Sequence, residues 1–250
     1  MITLKSKDEI EKIRRAGQVV AECIVRTAEQ VKPGVTTLDL DRIAEEYIVS
    51  QGLKPAFKGY LGFRHTLCLS INEEVVHGIP SKKRVLKEGD ILGIDCGAIY
   101  EGFYGDSART VACGTVSPEV QRLMDVTRES LDRGIEQMHA HKRLYDIGAA
   151  VQAHAEGQGF SVVKEYVGHG IGRALHEDPQ VPNYGTPGTG IRLKEGMVLA
   201  IEPMVNLGGQ ETYILGDGWT VVTKDGSFSA HFEDTIAITE KGPEILTRLK

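Results

Sequence analysis

Acidic residues close two nearly identical apolar segments of this 250-residue chain. Residues 86–95, LKEGDILGID, end in Asp95, and residues 193–202, LKEGMVLAIE, end in Glu202; six of the ten positions are identical. A carboxylate that ends a buried apolar run costs free energy unless a partner neutralises it. Two such acids in related segments therefore predict a shared central charge, for which a metal ion is the leading candidate.

Each of these two acids is followed along the sequence by another acid that could reach the same site. Asp95 and Asp106 flank a predicted hairpin with its turn near Tyr100-Glu101-Gly102, and regular pairing would place the two aspartates opposite each other, with Cβ atoms about 5 Å apart. Two bare carboxylates there would repel each other, and a divalent cation would remove the conflict. The counterpart of Asp106 in the second half is predicted to be Glu233, which follows Glu202 after a longer interval.

One histidine completes the predicted donor set. His169 lies in the segment Gly168-His169-Gly170, where glycines let the backbone approach a neighbour closely. Four carboxylates and one imidazole form an oxygen-rich site that suits Mn²⁺, Fe²⁺, Co²⁺ or Zn²⁺ better than a cysteine-rich structural zinc. Four carboxylates carry more negative charge than one divalent ion can neutralise, which favours two ions.

The repeat extends beyond these strands at the same offset of 107 residues. Residues 37–44 match residues 144–151, and Gln51-Gly52 matches Gln158-Gly159. We therefore predict a single catalytic domain of residues 1–250, internally duplicated as about 1–110 and 111–250, with its site between the halves.

Local patterns predict helices and strands that alternate in both halves. Ser6-x-x-Glu9 is a capping box, and Ser117-Pro118 is a typical N-cap and first-turn pair. Residues 224–227 are predicted to form a turn that pairs residues 219–223 with residues 229–232. The predicted helices extend to about residue 31 and over 37–50, 119–138 and 146–156; the predicted strands cover 66–72, 90–96, 162–167, 197–202, 219–223 and 229–239. This order indicates an α/β or α+β fold around a sheet with much antiparallel pairing.

Composition excludes several classes of protein. Hydrophobic residues make up 41% of the chain and charged residues 26%, with a net charge of −6 and no basic block, so a nucleic-acid partner is disfavoured. No apolar run is long enough to span a membrane, and no signal peptide is recognisable. The four cysteines are widely spaced, which favours a reducing cytoplasm over a disulfide framework.

These acids and histidines also carry a resemblance to a known family. The matching segments are Asp95, Asp106-Ser107-Ala108-Arg109-Thr110, Gly168-His169-Gly170-Ile171-Gly172, Ile201-Glu202-Pro203 and Glu233-Asp234-Thr235, with Asn72, His77-Gly78-Ile79-Pro80 and Leu175-His176-Glu177. Together they closely resemble the methionine aminopeptidases, in the short type I form found in bacteria. The resemblance spans nearly the whole chain and implies the pita-bread fold, a pseudo-twofold α/β sandwich.

The resemblance also implies a mechanism and a ligand set. Asp95 would bind one metal ion, His169 and Glu202 the other, and Asp106 and Glu233 both. Metal-activated water would attack the first peptide bond when the second residue is small, with Glu202 as general base. The implied substrate is the initiator methionine of nascent polypeptides in the cytoplasm, with the ribosome as a candidate partner and a monomer as the expected state.

Two further histidines and a set of apolar side chains complete the implied site. His77 would contact the scissile amide nitrogen and His176 the carbonyl oxygen. The methionine pocket would be formed by Tyr60, Phe63, Cys68, Leu175 and Trp219, with Phe57 nearby. Some relatives carry other residues at positions 57, 63 and 175, so the pocket shape stays open.

Three other functions remain as alternatives. An X-Pro peptidase of the same fold usually has a large additional N-terminal domain. A non-enzymatic peptide-recognition module or a creatinase-like enzyme typically lacks ligands that this chain has.

Overall fold

The computed structural model describes residues 2–249, which contain four α-helices and fifteen strands. The helices are α1 (Lys7–Ala28), α2 (Thr37–Ser50), α3 (Pro118–Ile135) and α4 (Leu144–Gly157). The strands are β1 (Lys54–Pro55), β2 (Leu67–Ile71), β3 (Glu74–Val76), β4 (Ile91–Tyr100), β5 (Phe103–Ala112), β6 (Ser161–Val162), β7 (Gly168–Gly170), β8 (Glu177–Val181), β9 (Val198–Ile201), β10 (Met204–Asn206), β11 (Thr212–Ile214), β12 (Val221–Thr223), β13 (Ser229–His231), β14 (Asp234–Thr239) and β15 (Gly242–Ile245). A 3₁₀ turn covers Tyr60–Gly62.

The helix starts follow the predicted capping signals. Ser6 and Glu9 form the capping box of α1, and the Ser117 side chain accepts a hydrogen bond at the start of α3. Helix α1 ends at Ala28 rather than near residue 31, because the next residues form tighter turns, with the Val31 N–H donating to the Ala28 carbonyl. The four predicted helices are thus confirmed, with ends that differ by a few residues.

Every strand pairing described between residues 2 and 249 is antiparallel. One sheet has the order β1-β4-β2 with β5 on β4, and another has the order β15-β14-β9-β7-β8. Two three-stranded sheets have the orders β13-β10-β6 and β11-β12-β3. One apolar core lies between α1, α2 and the first sheet, and another lies under α3 and α4.

The hairpin of β4 and β5 forms, but its register differs from the prediction. Asp95 lies opposite Ala108, and Asp106 lies opposite Gly97. The turn is centred on Glu101-Gly102, both with positive φ (47° and 81°), which is the backbone of a type I′ hairpin turn. Asp95 and Asp106 are therefore diagonal neighbours on one face of the hairpin rather than a directly opposed pair.

The strands of the second half also differ from the prediction. Residues 229–239 form two strands, β13 and β14, and β12 pairs with β11 and β3 rather than with β13. The predicted hairpin of residues 219–232 is therefore wrong, as is most of the strand at 162–167. Strand β13 pairs instead with β10, which places Met204 opposite His231.

A short junction joins the two larger sheets where the chain passes from β13 to β14. The Glu233 N–H donates to the Ala108 carbonyl at 2.9 Å, and the Ala108 N–H donates back at 3.3 Å. The Thr235 hydroxyl donates to the Asp106 carbonyl at 2.8 Å. These bonds fix the backbone on both sides of Glu233 against the strand that carries Asp106.

The internal duplication stays a prediction, which the element bounds support. Both ends of α4 lie 107 residues after those of α2, and β9 begins 107 residues after β4. Isolated bridges join Thr36 to Val85 and Arg143 to Arg192, again at this offset. None of the helices within residues 2–249 is both long and apolar enough to cross a membrane.

Candidate metal centre

The four predicted acids converge from two sheets on one buried region. Asp95 lies on β4 and Asp106 on β5, whereas Glu202 directly follows β9 and Glu233 directly precedes β14. Asp106 and Glu233 are buried, with 4% and 2% of their surfaces exposed. Two paired strands of one sheet and the ends of two strands of the other thus place four carboxylates from distant parts of the sequence around a common centre.

His169 joins this cluster through its Nε2 atom. Nε2 lies 3.5 Å from Glu202 Oε1 and 3.9 Å from Asp106 Oδ2. Nδ1 donates to the Gly170 carbonyl at 2.9 Å, which leaves the Nε2 lone pair facing the acids. A Cβ at Gly168 would lie 2.3 Å from the Ala200 carbonyl oxygen, so glycine is required where β7 packs against β9.

The donor atoms fit a divalent cation. Within residues 2–249, the buried oxygens Asp95 Oδ1, Asp106 Oδ1 and Glu233 Oε1 have no hydrogen-bond partner. Ligand atoms of Asp106, His169 and Glu233 lie within 4.8 Å of one another. Buried carboxylate oxygens without partners are costly, and oxygen and imidazole donors together suit a first-row divalent metal.

Without such a cation the acids favour their protonated forms. Burial raises the pKa of Asp106 to about 7. Burial, reinforced by the Asp106 charge, raises the pKa values of Asp95, Glu202 and Glu233 well above their usual range. Burial lowers the pKa of His169 to about 4, so its imidazole is neutral at pH 7 and available as a ligand.

A cavity of about 160 Å³ lies beside the acids. Its walls comprise Phe57, Tyr60, Leu61, Phe63, Cys68, His77, Asp95, Asp106, His169, Leu175, His176, Glu202, Trp219 and Glu233. The fold therefore brings together every residue that the sequence predicted for metal binding, catalysis or substrate binding. The volume is below the roughly 300–1,000 Å³ of common ligand sites and suits a single side chain.

The two other predicted histidines both line this cavity and have different neighbours. The His176 ring contacts His169, with centroids 4.4 Å apart, and its Nδ1 lies 2.8 Å from the Tyr60 hydroxyl. The His77 ring is 6.5 Å from the Trp219 ring, and its backbone has a φ of 60°. Such a conformation is uncommon for a non-glycine residue and clusters at functional sites. Burial lowers the pKa of His77 to about 4 and also lowers the pKa of His176.

Sequence reasoning did not assign two residues of this region. Leu61 lines the cavity and is 80% exposed, and His231 is buried with its Nε2 3.6 Å from Glu202 Oε2. A sequence signal for the histidine did exist, because alternation along the predicted strand 229–239 puts His231 and Glu233 on one side. Burial lowers the pKa of His231 to about 3.

Comparisons with known proteins agree with this geometry. The sequence profile of metallopeptidase family M24 matches residues 11–240. The methionine aminopeptidase of Clostridium acetobutylicum is 54% identical over 247 residues, which is 99% of both chains. That of Clostridium perfringens is 52% identical over the full length of both. The crystal structure of methionine aminopeptidase from Thermotoga maritima superposes with a TM-score of 0.98 at 49% identity and covers all of both chains. The chain therefore belongs to the methionine aminopeptidases of metallopeptidase family M24 and has their pita-bread fold.

Proposed function

We propose that this chain removes the N-terminal methionine from peptides and nascent proteins when the second residue is small. The observation that carries the proposal is the convergence of four acids and His169 on the wall of a cavity sized for one side chain. The names of the curated relatives support the same substrate.

The proposed metal ligands are Asp95, Asp106, His169, Glu202 and Glu233. Four carboxylates around one centre favour two divalent ions, with Co²⁺, Mn²⁺, Fe²⁺ and Zn²⁺ as candidates. When bound, the ions lower the pKa of water and polarise the substrate carbonyl. Glu202, whose two oxygens face His169 and His231, would accept the proton of the attacking water.

His176 and His77 would act on the two ends of the scissile peptide group. If the Tyr60 hydroxyl donates to His176 Nδ1, the neutral ring carries its proton on Nε2, which can donate to the carbonyl oxygen as negative charge develops there. His77 also lines the cavity, and we propose that it contacts the amide nitrogen. Both rings are neutral at pH 7, so each can donate a hydrogen bond without adding a buried charge.

The methionine side chain would occupy the apolar part of the cavity. Tyr60, Phe63, Cys68 and Trp219 line this part, and the Phe63 and Trp219 rings pack edge to face with centroids 5.1 Å apart. A flexible thioether makes favourable contacts with aromatic rings, particularly at their edges. Leu175 and Phe57 complete the wall. The small volume supports a narrow specificity.

The cellular setting is also a proposal. We propose a monomeric, internally duplicated catalytic domain that acts in the cytoplasm on nascent chains, with the ribosome as a candidate partner. The net charge of −6 and the absence of a basic block in the sequence disfavour nucleic acid as a partner.

Three tripeptides test the proposed function. The full chain is incubated with Met-Ala-Ser, Met-Leu-Ser or Ala-Pro-Ala in the presence of Co²⁺ or Mn²⁺, with a parallel reaction in EDTA, and the freed amino acid is measured. We expect methionine from Met-Ala-Ser only, and none in EDTA. Release of alanine from Ala-Pro-Ala alone would indicate an X-Pro peptidase, and failure to cleave any of the three under all metals would indicate a recognition module.

A further inference from the structure

His231 is a buried histidine that the proposed reaction does not use. Only 4% of its surface is exposed, and its Nε2 has no hydrogen-bond partner among residues 2–249. Its backbone is held on both sides by Thr110, whose hydroxyl donates to the His231 carbonyl and accepts from the His231 N–H, each at 2.9 Å. His231 is therefore held rigidly in a desolvated position, although its Nε2 atom has no hydrogen-bond partner there.

The unsatisfied nitrogen faces the acid cluster. His231 Nε2 lies 3.6 Å from Glu202 Oε2, and His169 Nε2 lies 3.5 Å from the other oxygen, Oε1. Ligand atoms of Glu202, His231 and Glu233 lie within 4.8 Å of one another. Glu202 is therefore flanked by two imidazoles, one facing each of its oxygens.

The distances from the two Nε2 atoms to the Glu202 oxygens are too long for hydrogen bonds but suit atoms that bind the same metal ion. An N–H···O hydrogen bond spans about 2.7–3.2 Å. Donors that bind one ion at about 2.0–2.1 Å are about 3.0–3.4 Å from each other, so a small contraction around a cation would satisfy Glu202 and His231 together.

We infer that His231 is a sixth protein ligand of the metal centre, with Nε2 bound to an ion that Glu202 and Glu233 also hold. This inference rests on the proposed metal-dependent function. Its chemical consequence is a second imidazole, which shifts the preference of the centre toward Co²⁺, Fe²⁺ and Zn²⁺ and away from Mn²⁺.

X-ray absorption spectroscopy of the Zn²⁺-loaded full chain counts imidazoles around the metal. With two ions bound, ligation by His169 and His231 gives one imidazole per ion, whereas ligation by His169 alone gives half of that. We expect the full value for the unchanged chain and a halved value for both His231→Ala and His231→Gln. His154→Ala on α4 is the matched control, because His154 pairs with Glu129 away from the centre and its loss should leave the count unchanged.

Calorimetric titration of Zn²⁺ into the metal-free proteins gives a second readout that is independent of turnover. His231→Gln can replace a hydrogen bond but not an imidazole ligand, so we expect its Zn²⁺ affinity to fall at least 10-fold, and circular dichroism verifies its fold. An unchanged imidazole count and affinity in His231→Gln would overturn the inference. A chain that releases methionine and binds two ions with half an imidazole per ion contradicts this inference alone, whereas a chain that binds no metal contradicts the proposed function.

Discussion

Asp106→Asn should stabilise the metal-free protein at neutral pH, although it removes a proposed metal ligand. Burial raises the pKa of Asp106 from 3.8 to about 7. A carboxyl whose pKa is raised on folding binds its proton more tightly in the folded state. The stability associated with that proton is fully present below pH 3.8 and is lost as the pH rises to about 7.

The size of the effect follows from this shift. A rise of about 3 pKa units at about 1.4 kcal/mol per unit corresponds to roughly 4 kcal/mol of unfolding free energy lost between pH 4 and pH 7. Asparagine cannot ionise and has nearly the same shape, so the variant avoids this loss. It also removes a charge that raises the pKa values of Asp95, Glu202 and Glu233.

The assay is urea unfolding in EDTA, followed by circular dichroism, at intervals from pH 4 to pH 8. The quantity of interest is the unfolding free energy of Asp106→Asn minus that of the unchanged chain. Buried His77, His169 and His231 have lowered pKa values and impose the opposite pH trend below about 6.5, but they are common to both proteins and largely cancel in the difference. Asp125→Asn is the matched control, since that α3 carboxylate has 43% of its side chain exposed and pairs with Arg128.

We expect the difference to rise by about 4 kcal/mol in favour of Asp106→Asn between pH 4 and pH 7, and the Asp125→Asn difference to stay flat. Saturating Co²⁺ should reverse the order, because the variant then lacks the side chain proposed to bind both ions. For the same reason its peptidase activity should fall further than that of Asp95→Asn. Parallel stability curves for Asp106→Asn and the unchanged chain in EDTA would refute the reasoning.

Three other changes test the catalytic, binding and packing roles. His176→Ala should lower kcat by about 10²–10³-fold with both metals still bound, because its partner is the developing oxyanion; a loss of metal measured by elemental analysis would contradict this. Trp219→Ala should lower kcat/KM for Met-Ala-Ser with unchanged metal content, and an unaltered value would remove the indole from the pocket wall. Gly105→Ala should cost about 1–3 kcal/mol in urea unfolding, because its Cβ would lie 2.6 Å from the Gly17 nitrogen in α1. Gly157→Ala, with no atom within 4 Å of the new Cβ, is its control and should show no such loss.

Local sequence signals were sufficient to predict the helix starts and the acids that follow the two repeated apolar runs. The Ser6–Glu9 capping box and the Ser117-Pro118 pair act within a few residues, so their geometry is encoded where they stand. The repeated segment that ends in Asp95 and in Glu202 likewise has a local pattern, an apolar run followed by an acid, although strand β4 continues past Asp95 to Tyr100. Glu202 and Asp95 consequently reach the cavity as the sequence predicts.

Pairings that depend on distant parts of the chain were harder to predict. The predicted β4–β5 register was wrong by two residues. Glu101 has a positive φ in the turn, a conformation that its residue type does not favour, and the turn is therefore centred on Glu101-Gly102. Strand β13 pairs with β10 rather than with β12, which is nearer along the chain, because this pairing buries β13 in the core under α3 and α4. The position of His231 beside Glu202 follows from that same long-range pairing, and alternation along the sequence relates His231 only to Glu233, not to Glu202.

The junction between β5 and β14 also sets the order in which the site can be completed during synthesis. Asp95 and Asp106 are translated first, but Thr235, which binds the Asp106 backbone, lies 129 residues later. Until residues 233–235 emerge, the first two carboxylates lack both Glu233 and the backbone bonds that hold it beside Asp106. A growing chain therefore lacks the complete set of proposed ligands until Glu233 has been translated, and we expect activity only after that residue has paired with Ala108.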